Sequence, residues 1–171
     1  MPQRTAFGII LVMLMASGCI GADVEIGDFG PARGDPLEFR DVAHGRTTNF
    51  LGEPEQRVYT DSFAWQRFWR MHTHGSEPRV PAPDVDWGRE VVVTVAIEVQ
   101  PSAADHVAIR LVQWDGHAMH VSYARIVFEQ GECNSAAIVN QPLHGVAVML
   151  PTKGALRVAF HETVETRPCG A

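Results

Sequence analysis

The chain has 171 residues, with 14 Lys and Arg against 20 Asp and Glu, for a formal net charge of −6. Hydrophobic residues make up 46% and charged residues 20%, a globular composition and not that of a disordered chain. The length suits one domain and excludes a multidomain machine, and the acidic balance excludes a basic nucleic-acid binder.

The N-terminus reads as an address. Arg4 is followed by an almost purely apolar run over 7–15, then by the small residues Ala16, Ser17 and Gly18, then by Cys19. This is the tripartite secretory pattern. The apolar run is too short to cross a bilayer, which takes about 20 residues. Leu14-Met15-Ala16-Ser17-Gly18-Cys19 resembles a bacterial lipoprotein signal, with Ala16 where that signal usually has Leu. The resemblance implies that residues 1–18 are removed. It also implies that Cys19 carries a diacylglycerol thioether and an amine acylated by a palmitate-type chain, anchoring the protein to a membrane of the bacterial envelope. More than one acyl chain makes such an anchor stable. Ile20 follows the Cys; in a cell with two membranes that favours the outer over the inner.

Residues 19–36 hold several Gly and Pro with no sustained period, and are expected to form a flexible linker with a span of roughly 20–25 Å. From residue 37 to 171 the chain reads as one α+β domain. Short strands are expected over 37–42 and 56–60. Asp61 and Ser62 can accept hydrogen bonds from orphan backbone N–H groups and start a helix running to about His72. Ala64, Trp65, Phe68, Trp69 and His72 share one arc of that helix and form a buried stripe. Gly75 and the prolines 78, 81 and 83 end it.

The clearest strand follows. Val91, Val93, Val95, Ile97 and Val99 share one face, and Glu90, Thr94 and Glu98 lie on the other with Val92 and Ala96. This alternation predicts an antiparallel sheet with one face packed and one partly wet. A second strand is expected over 106–114. Asp115-Gly116 then makes a hairpin turn into a return strand over 118–128. Residues 137–150 hold another strand, expected to be interrupted at Gln141-Pro142 because Pro has no ladder donor. Alternation resumes over 156–161. Strands joined by short turns predict a meander of about five to seven mainly antiparallel strands, with one aromatic-rich helix packed on the sheet.

Cys133 and Cys169 remain after Cys19. In an oxidising compartment two Cys make a natural disulfide, which the chain-entropy account values at roughly 4 kcal/mol for a loop of this length. Free thiols or metal ligands are the alternative. There is no C-x-x-C pair, so a zinc ribbon or thioredoxin-like site is not expected.

The helix motif Trp65-x-x-Phe68-Trp69, a Pro-containing loop, Asp86-Trp87 before a Val-rich strand, and Gln141-Pro142 before another resemble the PrcB C-terminal domain. The resemblance covers about residues 55–163. The family is named for a lipoprotein that binds and stabilises a chymotrypsin-like bacterial protease complex, so the resemblance implies an accessory, partner-binding role. Gln100-Pro101-Ser102-Ala103-Ala104 stands where the family often has a Gly-rich turn and an aromatic.

The chemistry-bearing residues do not assemble a catalytic signature. His72-Thr73-His74 lies at a helix end; His117 and His120, an odd number apart in a hairpin, face opposite ways; His44, His106, His144 and His161 are scattered. No His-Glu-x-x-His helix occurs, so no metal or other cofactor is expected. No Ser lies in G-x-S-x-G, and Ser122 shares a strand face with His120 without further support. The chain is therefore not expected to be an enzyme. Trp114 near the hairpin tip, together with Gln141, Pro142 and His144 in the loop over 134–145, is the expected partner surface. The expected function is a lipid-anchored envelope domain that docks on an exported protein, plausibly a protease, with edge-strand pairing as a natural mode. The alternative is a small-ligand binder, or an enzyme using a cleft between helix and sheet.

Overall fold

The computed structural model describes residues 23–47, 53–75, 78–100, 104–128, 141–152 and 154–168. Nine strands and one helix occur among them: β1 (Val24–Ile26), β2 (Asp35–Pro36), β3 (Phe39–Thr47), β4 (Glu55–Tyr59), α1 (Ser62–His72), β5 (Glu90–Ala96), β6 (His106–Trp114), β7 (Met119–Phe128), β8 (Gln141–Met149) and β9 (Leu156–Arg167). The fold is α+β and mostly antiparallel, with more strands than the five to seven expected. The strands do not form one meander. They split into a five-stranded sheet, ordered β1-β9-β7-β6-β2, and a four-stranded sheet, ordered β3-β8-β5-β4. β9 lies parallel to both β7 and β1. The chain leaves β7 for β8 in the opposite sheet before it returns to β9, and that detour permits the parallel pairing.

The main core lies between the sheets. Val91, Val93, Val95, Val146 and Val148 from one meet Val107, Ile109, Val112, Met119, Val121 and Val158 from the other. The second face of β5 is dry as well. Val92 and Ala96 pack with Ala147 and Leu143 against Trp65, Phe68 and Trp69 of α1. The expectation of a partly wet face fails because the helix covers it. α1 begins as its sequence indicates, with Ala64 N–H donating to Asp61 Oδ1 at 2.9 Å. Trp69 Nε1 donates to the Val80 carbonyl at 2.9 Å and ties the Pro-rich loop to the helix.

β8 runs through Pro142 without a break. The Pro142 carbonyl accepts from Ile97 N–H at 3.2 Å. In an antiparallel ladder the nitrogen of that residue faces the same neighbour, so its missing donor falls just where β5 ends.

The segment over 19–36 is not free linker where the structure describes it. β1 adds to β9, and β2 adds to β6 with Asp35 opposite Trp114. The stretch between them carries the chain from one edge of the five-stranded sheet to the other. It is fastened by Arg33 to Asp115 at 3.3 Å and by Arg157 over the Phe29 ring at 5.6 Å. No helix among the described residues is long and apolar enough to cross a membrane.

Candidate functional site

One polar chain crosses the outer face of the five-stranded sheet. Asp115 opens the β6–β7 turn and accepts from the backbone N–H groups of His117 and Ala118, each at 2.8 Å. Those donors, the Ala118 N–H first, together with His120 hold its carboxyl well below the ordinary carboxylate range. His120, on the outer face of β7, is fully buried. Its Nε2 lies 3.2 Å from Asp115 Oδ2, and its Nδ1 lies 3.0 Å from His161 Nε2 on β9.

The polarity of the chain follows from its ends. The ionised Asp115 can only accept, so His120 donates through Nε2–H. A neutral His120 then accepts at Nδ1, and His161 donates its Nε2–H. That leaves His161 Nδ1 with an open lone pair. Burial, and then the neighbouring His120, holds His161 below the usual histidine range, while Asp28 acts in the opposite sense. His161 lines a cleft of about 570 Å³ that wraps the edge of β9, with Ile26, Gly27, Asp28, Gln56, Phe160 and Glu162.

The cleft opens onto the free part of β9. Leu156 N–H bonds Asp23 O and Val158 O bonds Gly27 N–H, so even-numbered residues of β9 turn their backbone polar groups toward β1. β1 ends at Ile26, whereas β9 continues in unbroken register with β7 to Arg167. The N–H and C=O groups of Phe160, Glu162, Val164 and Thr166 therefore have no backbone partner among the described residues. Val164 is 53% exposed at the middle of this edge.

A second cluster joins the two sheets. Ile109 N–H donates to His144 Nδ1 at 2.7 Å, and His144 Nε2 lies 3.0 Å from Asp41 Oδ1. Ile109 precedes a bulge in β6, and β2 covers β6 only at Gln113 and Trp114. The imidazole of β8 thus satisfies an edge N–H of the opposite sheet. Burial holds the His144 pKa below the usual histidine value, against the pull of Asp41.

Asp41, His44 and His144 also place one ligand atom each within 4.8 Å of one another. The proton pattern opposes a cation there. His144 Nδ1 faces a donor, so the ring's single proton sits on Nε2, the atom that would have to ligate. Metal-bound histidines instead donate from the second nitrogen to an acceptor. Asp41 and His144 instead form a hydrogen-bonded clamp on Ile109, and His44 packs edge-on against the His144 ring at 5.0 Å.

The sequence-derived partner residues are dispersed. Gln141, Pro142 and His144 are all buried within β8, and Trp114 is half-buried against the inter-sheet core. None of the four forms an open patch. Cys19, Cys133 and Cys169, with the 1–18 signal, lie outside the described residues. The relay of Asp115, His120 and His161 was not anticipated. Only the identity of the His120 face was legible, because β9 comes alongside β7 through a distant parallel pairing. No family model matches this chain, and neither a curated protein nor a solved structure matches it.

Proposed function

We propose that this protein is a lipid-anchored, non-catalytic binding domain of the bacterial envelope, which docks an exported partner by strand addition to the open edge of β9. The anchor is the lipid expected on Cys19, with the outer membrane favoured where there are two. The resemblance to the PrcB C-terminal domain makes an exported protease complex the leading class of partner.

The observation that carries this reading is the contrast among the sheet edges. β6 is bulged between Ile109 and Leu111, and β3 between Asp41 and Ala43. β2 is two residues long and contains Pro36, and β4 is five residues long with Glu55 paired to Arg57. Each of these devices discourages pairing with another chain. Past Val158, β9 has no bulge and no Pro and stays long, although Glu165 pairs with Arg167 much as Glu55 does with Arg57. A long, regular, unpaired edge is a template for an added strand, whose main-chain hydrogen bonds supply affinity. The densely filled core between the sheets also favours surface binding over an internal ligand cavity. The cleft at His161 is where the alternative, a small-ligand site, would lie.

Crosslinking in intact envelopes, followed by mass spectrometry, tests this reading. Val164→Pro removes an outward N–H and leaves the β7 ladder intact, because odd-numbered residues of β9 face β7. We expect one partner recovered in near-equal amount from the wild type and lost from Val164→Pro. Equal recovery from both would overturn docking at this edge. Cys19→Ser should move the folded protein out of the membrane fraction, and unchanged fractionation would overturn the anchor.

A further inference from the structure

The strand-addition reading leaves open how a partner is oriented, and the cleft at the head of the edge addresses that. It lies where β1 stops and the free edge of β9 starts, so an added strand terminates or passes there. Its described lining has two carboxylates, Asp28 and Glu162, and no Lys or Arg. Glu162 already accepts from Tyr123 at 3.3 Å and sits 3.1 Å from Arg125 Nε. Asp28 spends one oxygen on Gly30 N–H at 2.9 Å and is paired with no cation among the described residues. The relay through the buried His120 fixes the His161 ring, and its Nδ1 remains an acceptor with no hydrogen-bond partner among the described residues. Phe160 adds an unpaired backbone carbonyl. Apart from the Gln56 amide, whose Nε2–H donates to Tyr123 Oη at 2.8 Å, the polar side chains of the cleft form an array of acceptors around the Asp28 carboxylate.

Resting on the strand-addition reading, we propose that this cleft receives the free α-amino group of a partner polypeptide, whose first residues then pair in parallel with β9 along Phe160 to Thr166. The orientation follows from the register. β1 pairs in parallel, with Gly27 N–H on Val158 O. One step further along the same ladder, the next donor falls on Phe160 O. An α-ammonium at that point gives one hydrogen bond to Phe160 O and can reach Asp28 and His161 Nδ1. An antiparallel strand would instead end its carboxylate against Asp28 and Glu162, which repel it. An interior peptide N–H has one donor for the array, whereas the ammonium has three and a positive charge. Polypeptides with such termini arise in this compartment whenever a leader peptide is removed.

The test uses the full-length protein purified in detergent and an array of eight-residue Val- and Thr-rich peptides, tethered through their C-termini. Each peptide is made with a free and with an acetylated amino terminus. We expect capture by free termini and at least a tenfold weakening on acetylation. Asp28→Asn and His161→Phe should abolish that discrimination, because both residues lie at the surface of the cleft. Val164→Pro should weaken both peptide forms, with tryptophan fluorescence checking that it remains folded. Equal binding of free and acetylated peptides, dependent on Val164, would overturn the amino-terminal inference and leave strand addition standing. Binding that ignores Val164→Pro would overturn both. Capture that tracks an internal Lys, or no capture of either set, would overturn the inference as well.

Discussion

His144→Ala should weaken the sandwich more than any change at its hydrogen-bonded partner Asp41. The His144 side chain is 5% exposed and that of Asp41 is 64% exposed. Removing the imidazole strands the Ile109 N–H, whose only hydrogen-bond partner among the described residues is His144 Nδ1. A buried donor left unmade costs about 1–3 kcal/mol. The cavity left by the ring adds about 1–2 kcal/mol, at the low end of large-to-small core substitutions. The loss should therefore total about 2–5 kcal/mol, against the roughly 5–15 kcal/mol that ordinarily separates folded from unfolded chains. Asp41→Ala should cost less than about 1 kcal/mol, since its carboxylate is solvated. His144→Asn keeps an acceptor near the position of Nδ1 and should recover about 1–2 kcal/mol of the Ala loss. Equilibrium urea unfolding followed by tryptophan fluorescence measures all three. If His144→Ala falls within 1 kcal/mol of wild type, or if Asn is no better than Ala, the clamp is not what joins the sheets here.

Burial sets a pH dependence, because it depresses His72, His161 and His144 of the clamp below the free value of 6.5. The unfolded chain takes up these protons first, so their contribution is complete above about pH 6.5 and is lost as pH falls; His144→Asn should flatten that slope below about pH 6.5, as read from urea midpoints. Trp65→Ala removes a side chain that is 1% exposed at the centre of the helix–sheet contact and should cost about 3–5 kcal/mol; a midpoint shift corresponding to less than 1 kcal/mol would contradict that packing. Gly34 has φ +110°, and a Cβ there would stand 2.3 Å from the Trp114 carbonyl oxygen. Gly34→Ala should detach β2, add about 1–3 kcal/mol of strain and red-shift Trp114 fluorescence; an unchanged spectrum would refute it. Asp115 is held below its ordinary value of 3.8 in the fold, so its contribution is present above that value and is lost under acid. Asp115→Asn should flatten the acid limb of the stability–pH curve below about pH 4, measured by circular dichroism across an acid titration.

Several elements were legible in the sequence because their signals are local. Asp61 caps α1, and the Trp65, Phe68 and Trp69 stripe faces the sheet, since an i, i+3, i+4 spacing aligns side chains within one helix. The β6–β7 hairpin turns at Asp115-Gly116 with Gly116 at φ +93°, a conformation glycine adopts freely. The alternation in β5 correctly assigned Val91, Val93 and Val95 to one face, but it could not show that α1 would dry the other.

Pairing across sheets was decided by the tertiary structure alone. A period of two says which side chains share a face and nothing about which strand lies alongside. Hence β9 beside β7, and the meeting of His120 with His161, had no trace in the spacing of either strand. Residues 24–36 resemble linker by composition, yet their two ends become edge strands because β9 and β6 offer unpaired backbone there. Gln141, Pro142 and His144 resemble a polar turn, yet they are interior because β3 and β5 flank β8 on both sides. Local sequence fixes conformation over a few residues, whereas burial depends on neighbours that arrive from tens of residues away.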